Sequence, residues 1–231
     1  MNFETWEPVY EAILADFGFD RGADERARGL LADLLAGRET CDPRALDASG
    51  RTVAIAGAAP SLQSEVDVAR SADLVFAVST AADVLQERGV GVDCMVTDLD
   101  KNPGTVETLT AEGVPVAVHA HGDNVSAIRE TVPDLAADAV VPTTQAAPKG
   151  GVRNFGGFTD GDRAAFLADY LGAARLTFPG WELDDPTVGD VKARKLRWAG
   201  RLLYWLERRR GERFGPLEGR RDRLDTTHIP V

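Results

Sequence analysis

Asp98 and Asp100 follow the apolar run Val92 to Val96 and precede Lys101-Asn-Pro-Gly104, so two carboxylates leave a buried strand where the chain opens into a loop. Side chains two apart in extended chain point the same way, which lets the pair share one cation. Magnesium takes one or two carboxylates and leaves its other positions to water and substrate phosphate. An isolated Asp-x-Asp in an acidic chain also arises by chance, and it is the position after a buried strand that favours a metal.

Three further stretches have the composition of a site. Gly57-Ala-Ala-Pro60-Ser61-Leu62 follows an apolar run and opens a helical segment. A small-residue turn there lets backbone N–H groups and a helix start approach phosphate, although Gly57 for a tight turn and Ser61 for capping explain it equally well. It is neither a dinucleotide fingerprint nor a P-loop, because Ala59 and Leu62 replace the later glycines and no Gly-Lys-Ser/Thr follows. His119-Ala-His121-Gly-Asp123-Asn124 ends another apolar run. With no third soft ligand nearby, it suits substrate or phosphate contacts, with Asp123 as a second metal carboxylate. Asp123 or Asn124 also reads as a helix cap. Asn154-Phe-Gly156-Gly157-Phe-Thr159-Asp160-Gly-Asp162-Arg163 combines glycines that permit close backbone approach to a ligand with Thr159 and Asp160 at a helix start.

Elements must bring these stretches together. Short apolar runs at Thr52–Ala56, Leu74–Val78, Val92–Val96, Val114–His119, Ala139–Val141 and Arg175–Phe178 alternate with helical segments. The helical segments lie near residues 61–70, 80–88, 104–112, 124–131 and 160–171. Such alternation predicts an α/β fold, a mainly parallel sheet with helices on both faces. Parallel strands deliver their carboxyl ends to one edge, where ligands bind in open α/β sheets. Helical spacing of Trp6, Tyr10, Ile13, Leu14 and Phe17, then of Leu30, Leu31, Leu34 and Leu35, predicts two helices first. The expected organisation is an N-terminal helical segment, residues 1–48, packed on an α/β catalytic domain, residues 49–231, that closes with a long helix from about Val188 to Arg210. That helix carries an apolar stripe, a basic opposite face, and Lys192 and Lys195 in its first turns near an anionic ligand.

Composition bounds the function. The formal charge is −11, which disfavours nucleic acid as a partner. Lysine is confined to Lys101, Lys149, Lys192 and Lys195 while aspartate is abundant, a skew that suits a high-salt cytoplasm. No apolar run reaches membrane-spanning length and the N-terminus lacks a leader pattern, so a soluble, cytoplasmic protein with no membrane partner is expected. Cys41 and Cys94 match no metal or disulfide spacing, and Cys94 reads as core.

Taken together, Gly57-Ala-Ala-Pro-Ser-Leu62, Thr97-Asp-Leu-Asp100, His119-Ala-His-Gly-Asp-Asn124, Thr144-Gln145 and Asn154 through Arg163 resemble the archaeal 6-hydroxymethyl-7,8-dihydropterin pyrophosphokinases of the MptE-like family. The resemblance spans Arg51 to Leu206, and Ala59 departs from it where a second glycine is common. It implies a core similar to thiamine pyrophosphokinase. It also implies transfer of the β,γ-diphosphate of ATP to the hydroxymethyl group of a reduced pterin, releasing AMP, in tetrahydrofolate or methanopterin-type cofactor synthesis. The small-molecule partners are then ATP and the pterin, with Mg2+ as cofactor. Asp98 and Asp100 would hold the magnesium, with Asp123 or Asp160 completing its shell, and His121 or a nearby acid would take the substrate proton. Gly57, Ser61, Asn124, Gln145, Gly156, Gly157, Thr159, Asp160 and Asp162 would contact the substrates, and Lys192, Lys195 or Arg163 would neutralise phosphate. Rival readings are a thiamine pyrophosphokinase, an Asp-x-Asp glycosyltransferase for nucleotide sugars, and a nucleotide-binding regulator without turnover. The sequence leaves oligomeric state open, a homodimer included.

Overall fold

A computed structural model of the chain describes residues 1–231. Six strands form one sheet in the order β5-β4-β3-β2-β1-β6. They are β1 (Thr52–Ala56), β2 (Leu74–Val78), β3 (Cys94–Thr97), β4 (Val116–Ala120), β5 (Val140–Thr144) and β6 (Arg175–Thr177), and every pairing is parallel. Parallel pairing requires crossovers, and α3 (Leu62–Arg70), α4 (Ala81–Glu87), α5 (Pro103–Ala111), α6 (Val125–Thr131) and α7 (Asp160–Tyr170) supply them. The chain begins with α1 (Phe3–Phe17) and α2 (Arg21–Leu34), and α8 (Asp190–Arg210) is its last long element.

Alternation along the strands divides the core in two. Val53, Ile55, Phe76, Cys94 and Val96 pack with Trp6, Tyr10 and Ile13 of α1, Phe166 of α7, and Trp198 and Trp205 of α8. Ala54, Ala56, Ala77, Met95 and Val118 face the other way, against Leu31, Leu62, Leu85, Leu109 and Ile128 of α2 to α6. The two N-terminal helices therefore straddle the sheet, one on each face. Their connection begins at Gly18, whose φ of 70° ends α1 with its N–H on the Leu14 carbonyl.

Strands β3 to β6 differ from the sequence expectation by one to three residues at their ends, and two of these differences bear on the site. β5 runs through Pro142 to Thr144 rather than stopping at Val141, because an edge strand tolerates a missing donor. β3 stops at Thr97, and Leu99 adopts φ +67°. Asp98 and Asp100 are thus brought together by a left-handed turn rather than by extended alternation. No helix is long and apolar enough to cross a membrane.

Candidate active site

All six strand ends contribute to one cavity of about 510 Å³. Gly57 follows β1, Ser79 β2, Asp98 and Asp100 β3, His121 β4, Gln145 β5, and Gly180 and Trp181 β6. The order of the strands reverses between β1 and β6, the kind of switch point where open α/β sheets bind ligands. Phe19 and Asp20 of the α1–α2 connection and Ala23 and Asp24 of the first turn of α2 close one side, and Lys192 and Lys195 from the first turns of α8 close another.

Asp98 and Asp100 are held by local chemistry. Leu99 N–H donates to Thr97 Oγ1 at 3.0 Å and Asp100 N–H to Asp98 Oδ1 at 3.3 Å, which fixes the turn. His121 Nε2 lies 3.4 Å from Asp98 Oδ2. Burial pushes the Asp98 carboxyl up, but hydrogen bonds from His121 and Asp100 and the Arg163 charge outweigh it and hold Asp98 well down. Burial and the neighbouring Asp98 charge push Asp100 up. A close carboxylate pair in which one acid is held down and its neighbour pushed up is a site that a cation would complete.

Facing the acids are cations. Lys101, Lys192 and Lys195, three of the four lysines in the chain, line the cavity. The Lys192 ammonium is lowered by partial burial and then by Lys101 and Lys195, the signature of like charges held close. Arg163 is almost buried; its Nη1 donates to Asp160 Oδ1 at 2.8 Å and its Nη2 to Gln145 Oε1 at 3.1 Å. Burial, then the Asp98 charge, raises the Asp160 carboxyl to about 6. No three carboxylate, imidazole or thiol groups close on one point. The donor set therefore fits a hard cation that draws two carboxylates from the protein and the rest of its shell from water and phosphate oxygens.

Residues 33–187 match the family described as 6-hydroxymethylpterin diphosphokinase MptE-like. The chain belongs to that family. A relative from Methanothermobacter thermautotrophicus, named 6-hydroxymethyl-7,8-dihydropterin pyrophosphokinase, is 38% identical over 225 residues, covering 90% of this chain and 96% of the relative. Relatives of the same name from Pyrococcus furiosus and Methanocaldococcus jannaschii are 34% and 30% identical, each over 90% of this chain and 95% and 96% of their own lengths. Membership makes the chain an enzyme of the pterin diphosphokinase class.

Within this MptE-like chain the residues named from sequence separate into cavity groups and framework groups. Gly57, Asp98, Asp100, His121, Asp123, Gln145, Thr159, Asp160, Arg163 and Lys192 line the cavity. Ser61, Asn124, Gly156, Gly157 and Asp162 do not. In the turn after β1 three amides are already engaged: Gly57 N–H donates to the Pro179 carbonyl, Ala59 N–H to that of Gly180 and Ser61 N–H to Glu182 Oε1. A side chain at Gly57 would lie 2.3 Å from the Gly180 oxygen, so close packing of β1 and β6 loops explains this glycine. Ser61 makes no cap and its hydroxyl is buried without a partner.

Asn124 does not cap α6 either. Its Nδ2 donates to the carbonyls of Asp98 and His119 at 2.7 and 2.6 Å, tying the β3 and β4 ends together. Gly156 and Gly157, at φ +90° and +93°, leave room for Phe166 and for the Arg163 backbone, 2.6 Å from a Cβ at Gly157, rather than for a ligand. Asp162 is buried and accepts from the amides of Phe158 and Thr159 at 2.6 and 2.8 Å, holding the start of α7. Asp123 sits exposed at the rim and Asp160 is paired with Arg163, so neither converges on a common point with Asp98 and Asp100. His119 is buried against Thr143, outside the cavity, so the two histidines do not act as a pair of ligands.

Sequence reasoning missed Asp24, Ser79 and Lys101 as site residues. Lys101 carried a signal, being next to the acid pair. Asp24 carried none, because its partners Gly122 and Gln145 lie 98 and 121 residues away.

Proposed function

We propose that the chain transfers the β,γ-diphosphate of ATP to the hydroxymethyl group of 6-hydroxymethyl-7,8-dihydropterin, releasing AMP, as a step in tetrahydrofolate or methanopterin-type cofactor synthesis. Family membership supports the pterin and the transfer. The observation that carries the phosphoryl chemistry is the acid pair Asp98 and Asp100 facing Lys101, Lys192 and Lys195 across one cavity. Asp98 and Asp100 would hold Mg2+, which supplies positive charge to the phosphate oxygens when bound.

In the transfer the substrate hydroxyl oxygen forms a bond to the β-phosphorus while the bond from that phosphorus to the α–β bridging oxygen breaks. The electron pair leaves with AMP. Phosphoryl transfer asks a protein mainly for position and charge, and the three lysines that line the cavity would bind the phosphates and stabilise charge on the departing group. His121 acts as a brace rather than a base. The Asp123 N–H points to its Nδ1 at 3.3 Å, which places the ring proton on Nε2 toward Asp98. With a loose transition state the hydroxyl proton departs late, to water or to a phosphate oxygen, and no strong base is needed.

An acceptor panel tests the reading. With ATP and magnesium, AMP is expected only when 6-hydroxymethyl-7,8-dihydropterin is added. AMP released with thiamine instead, or with no acceptor, would sink the proposal.

A further inference from the structure

Asp24 has no part in the chemistry described so far, yet it is only 3% exposed and accepts three hydrogen bonds. Its Oδ1 accepts from Gly122 N–H at 2.7 Å, in the turn that carries His121 and Asp123. Its Oδ2 accepts from the Tyr10 hydroxyl at 2.7 Å and from Gln145 Nε2 at 2.8 Å. Burial, and then the bond to Asp24, keeps the Tyr10 phenol protonated and therefore a donor. Gln145 in turn offers Oε1 to Arg163, whose other arm holds Asp160. The α1 helix grips the same residue, Trp6 Nε1 donating to the Gln145 carbonyl at 2.9 Å.

The direction of this chain of bonds is forced. An ionised carboxylate can only accept and a guanidinium can only donate, so the amide between them has one workable orientation. We propose that Asp24 is a positioning residue that orients the Gln145 amide so that Arg163 is held in place over the cavity. The inference rests on the diphosphate-transfer reading of the cavity. It places part of the catalytic geometry under the control of the N-terminal helices, outside residues 33–187 that match the family.

Exchange of polarity tests it. In Asp24→Asn the new amide presents a donor to Gln145; turning Gln145 to accept it sets donor against donor at Arg163. Expected is a fall in kcat of about 10- to 100-fold, since small misplacements at a phosphoryl-transfer centre cost that much. Gln145→Glu alone sets two acceptors face to face and is also slow. The double variant Asp24→Asn with Gln145→Glu restores donor-to-acceptor order from residue 24 through residue 145 to Arg163, with the Tyr10 hydroxyl turned to accept, and recovers most of kcat, a non-additive result. Tyr10→Phe removes one bond to Asp24 without changing polarity, so it lowers Tm and leaves kcat within about twofold.

The inference is overturned if Asp24→Asn keeps wild-type kcat, if the double variant recovers Tm but not kcat, or if Tyr10→Phe is as slow as Asp24→Asn. Should the double variant fail to fold, the contrast between Tyr10→Phe and Asp24→Asn decides alone. A wild-type enzyme that forms no AMP with the pterin would instead overturn the functional reading, so the two failures are distinct.

Discussion

Leu99 and Ser79 hold left-handed backbone just past the ends of β3 and β2, at φ +67° and +49°; Ser79 lines the cavity and Leu99 sits between Asp98 and Asp100, which do. Non-glycine residues in that region cost about 1–2 kcal/mol each, and such strain tends to gather at functional sites. Ser79 adds a second cost, a buried hydroxyl with no partner. A ligand oxygen that takes this hydroxyl would offset it. Ser79→Ala is therefore expected to raise KM about 5- to 50-fold while Tm holds or rises, since an unmet buried hydroxyl costs about 1–3 kcal/mol. Steady-state kinetics beside thermal unfolding would show it, and a fall in Tm with unchanged KM would refute it. Asp98→Asn and Asp100→Asn should each reduce magnesium-dependent kcat by about 100-fold or more, with Tm little changed for Asp100, which is exposed. Wild-type turnover in the double substitution would remove the metal assignment. The acid pair was legible from residue type and position, but the means of bringing the carboxylates together was not. Period-two alternation was the wrong geometry, and nothing local marks Leu99 as left-handed.

Elements were more legible than their ends. β1 and β2 fall at the residues expected from their apolar runs, because buried parallel strands read as continuous hydrophobic stretches. β5 was read short at Pro142, since edge position is a property of the sheet and not of the strand. The glycines before α7 were read as ligand-facing, whereas Phe166 and the Arg163 backbone occupy that space. The basic end of α8 hides another element-scale contact. Glu207, 3% exposed, accepts from Phe214 N–H at 2.6 Å and from Arg221 Nε and Nη2 at 2.8 and 2.7 Å. Burial alone would raise this carboxyl, but Arg221 and the Phe214 amide outweigh it and lower it below 4.5. A depressed acid stabilises the fold fully above its unfolded value and loses that contribution as pH falls through the folded one. Glu207→Gln should therefore cost about 3 kcal/mol near neutral pH and lose less than the wild type on acidification below pH 4.5. Urea unfolding at pH 7 and pH 3.5 would check this; parallel loss in both proteins would contradict it.

For the whole molecule, strand order is what turns scattered motifs into a site. Six parallel strands deliver their carboxyl ends to one edge, the reversal between β1 and β6 opens the crevice, and α1–α2 and α8 wall it. The sheet and its site edge could be anticipated from alternation of strands and helices. The contribution of Phe19 to Asp24 could not, because a short connection and the first turn of the helix after it leave no periodic trace of the cavity they close. The central claim is transfer of an intact diphosphate. Phosphorus NMR of the enzyme with ATP, magnesium and 6-hydroxymethyl-7,8-dihydropterin tests it most directly. AMP and the pterin diphosphate should appear in equal amounts without ADP or free pyrophosphate; ADP with a pterin monophosphate, or AMP with free pyrophosphate, would contradict it.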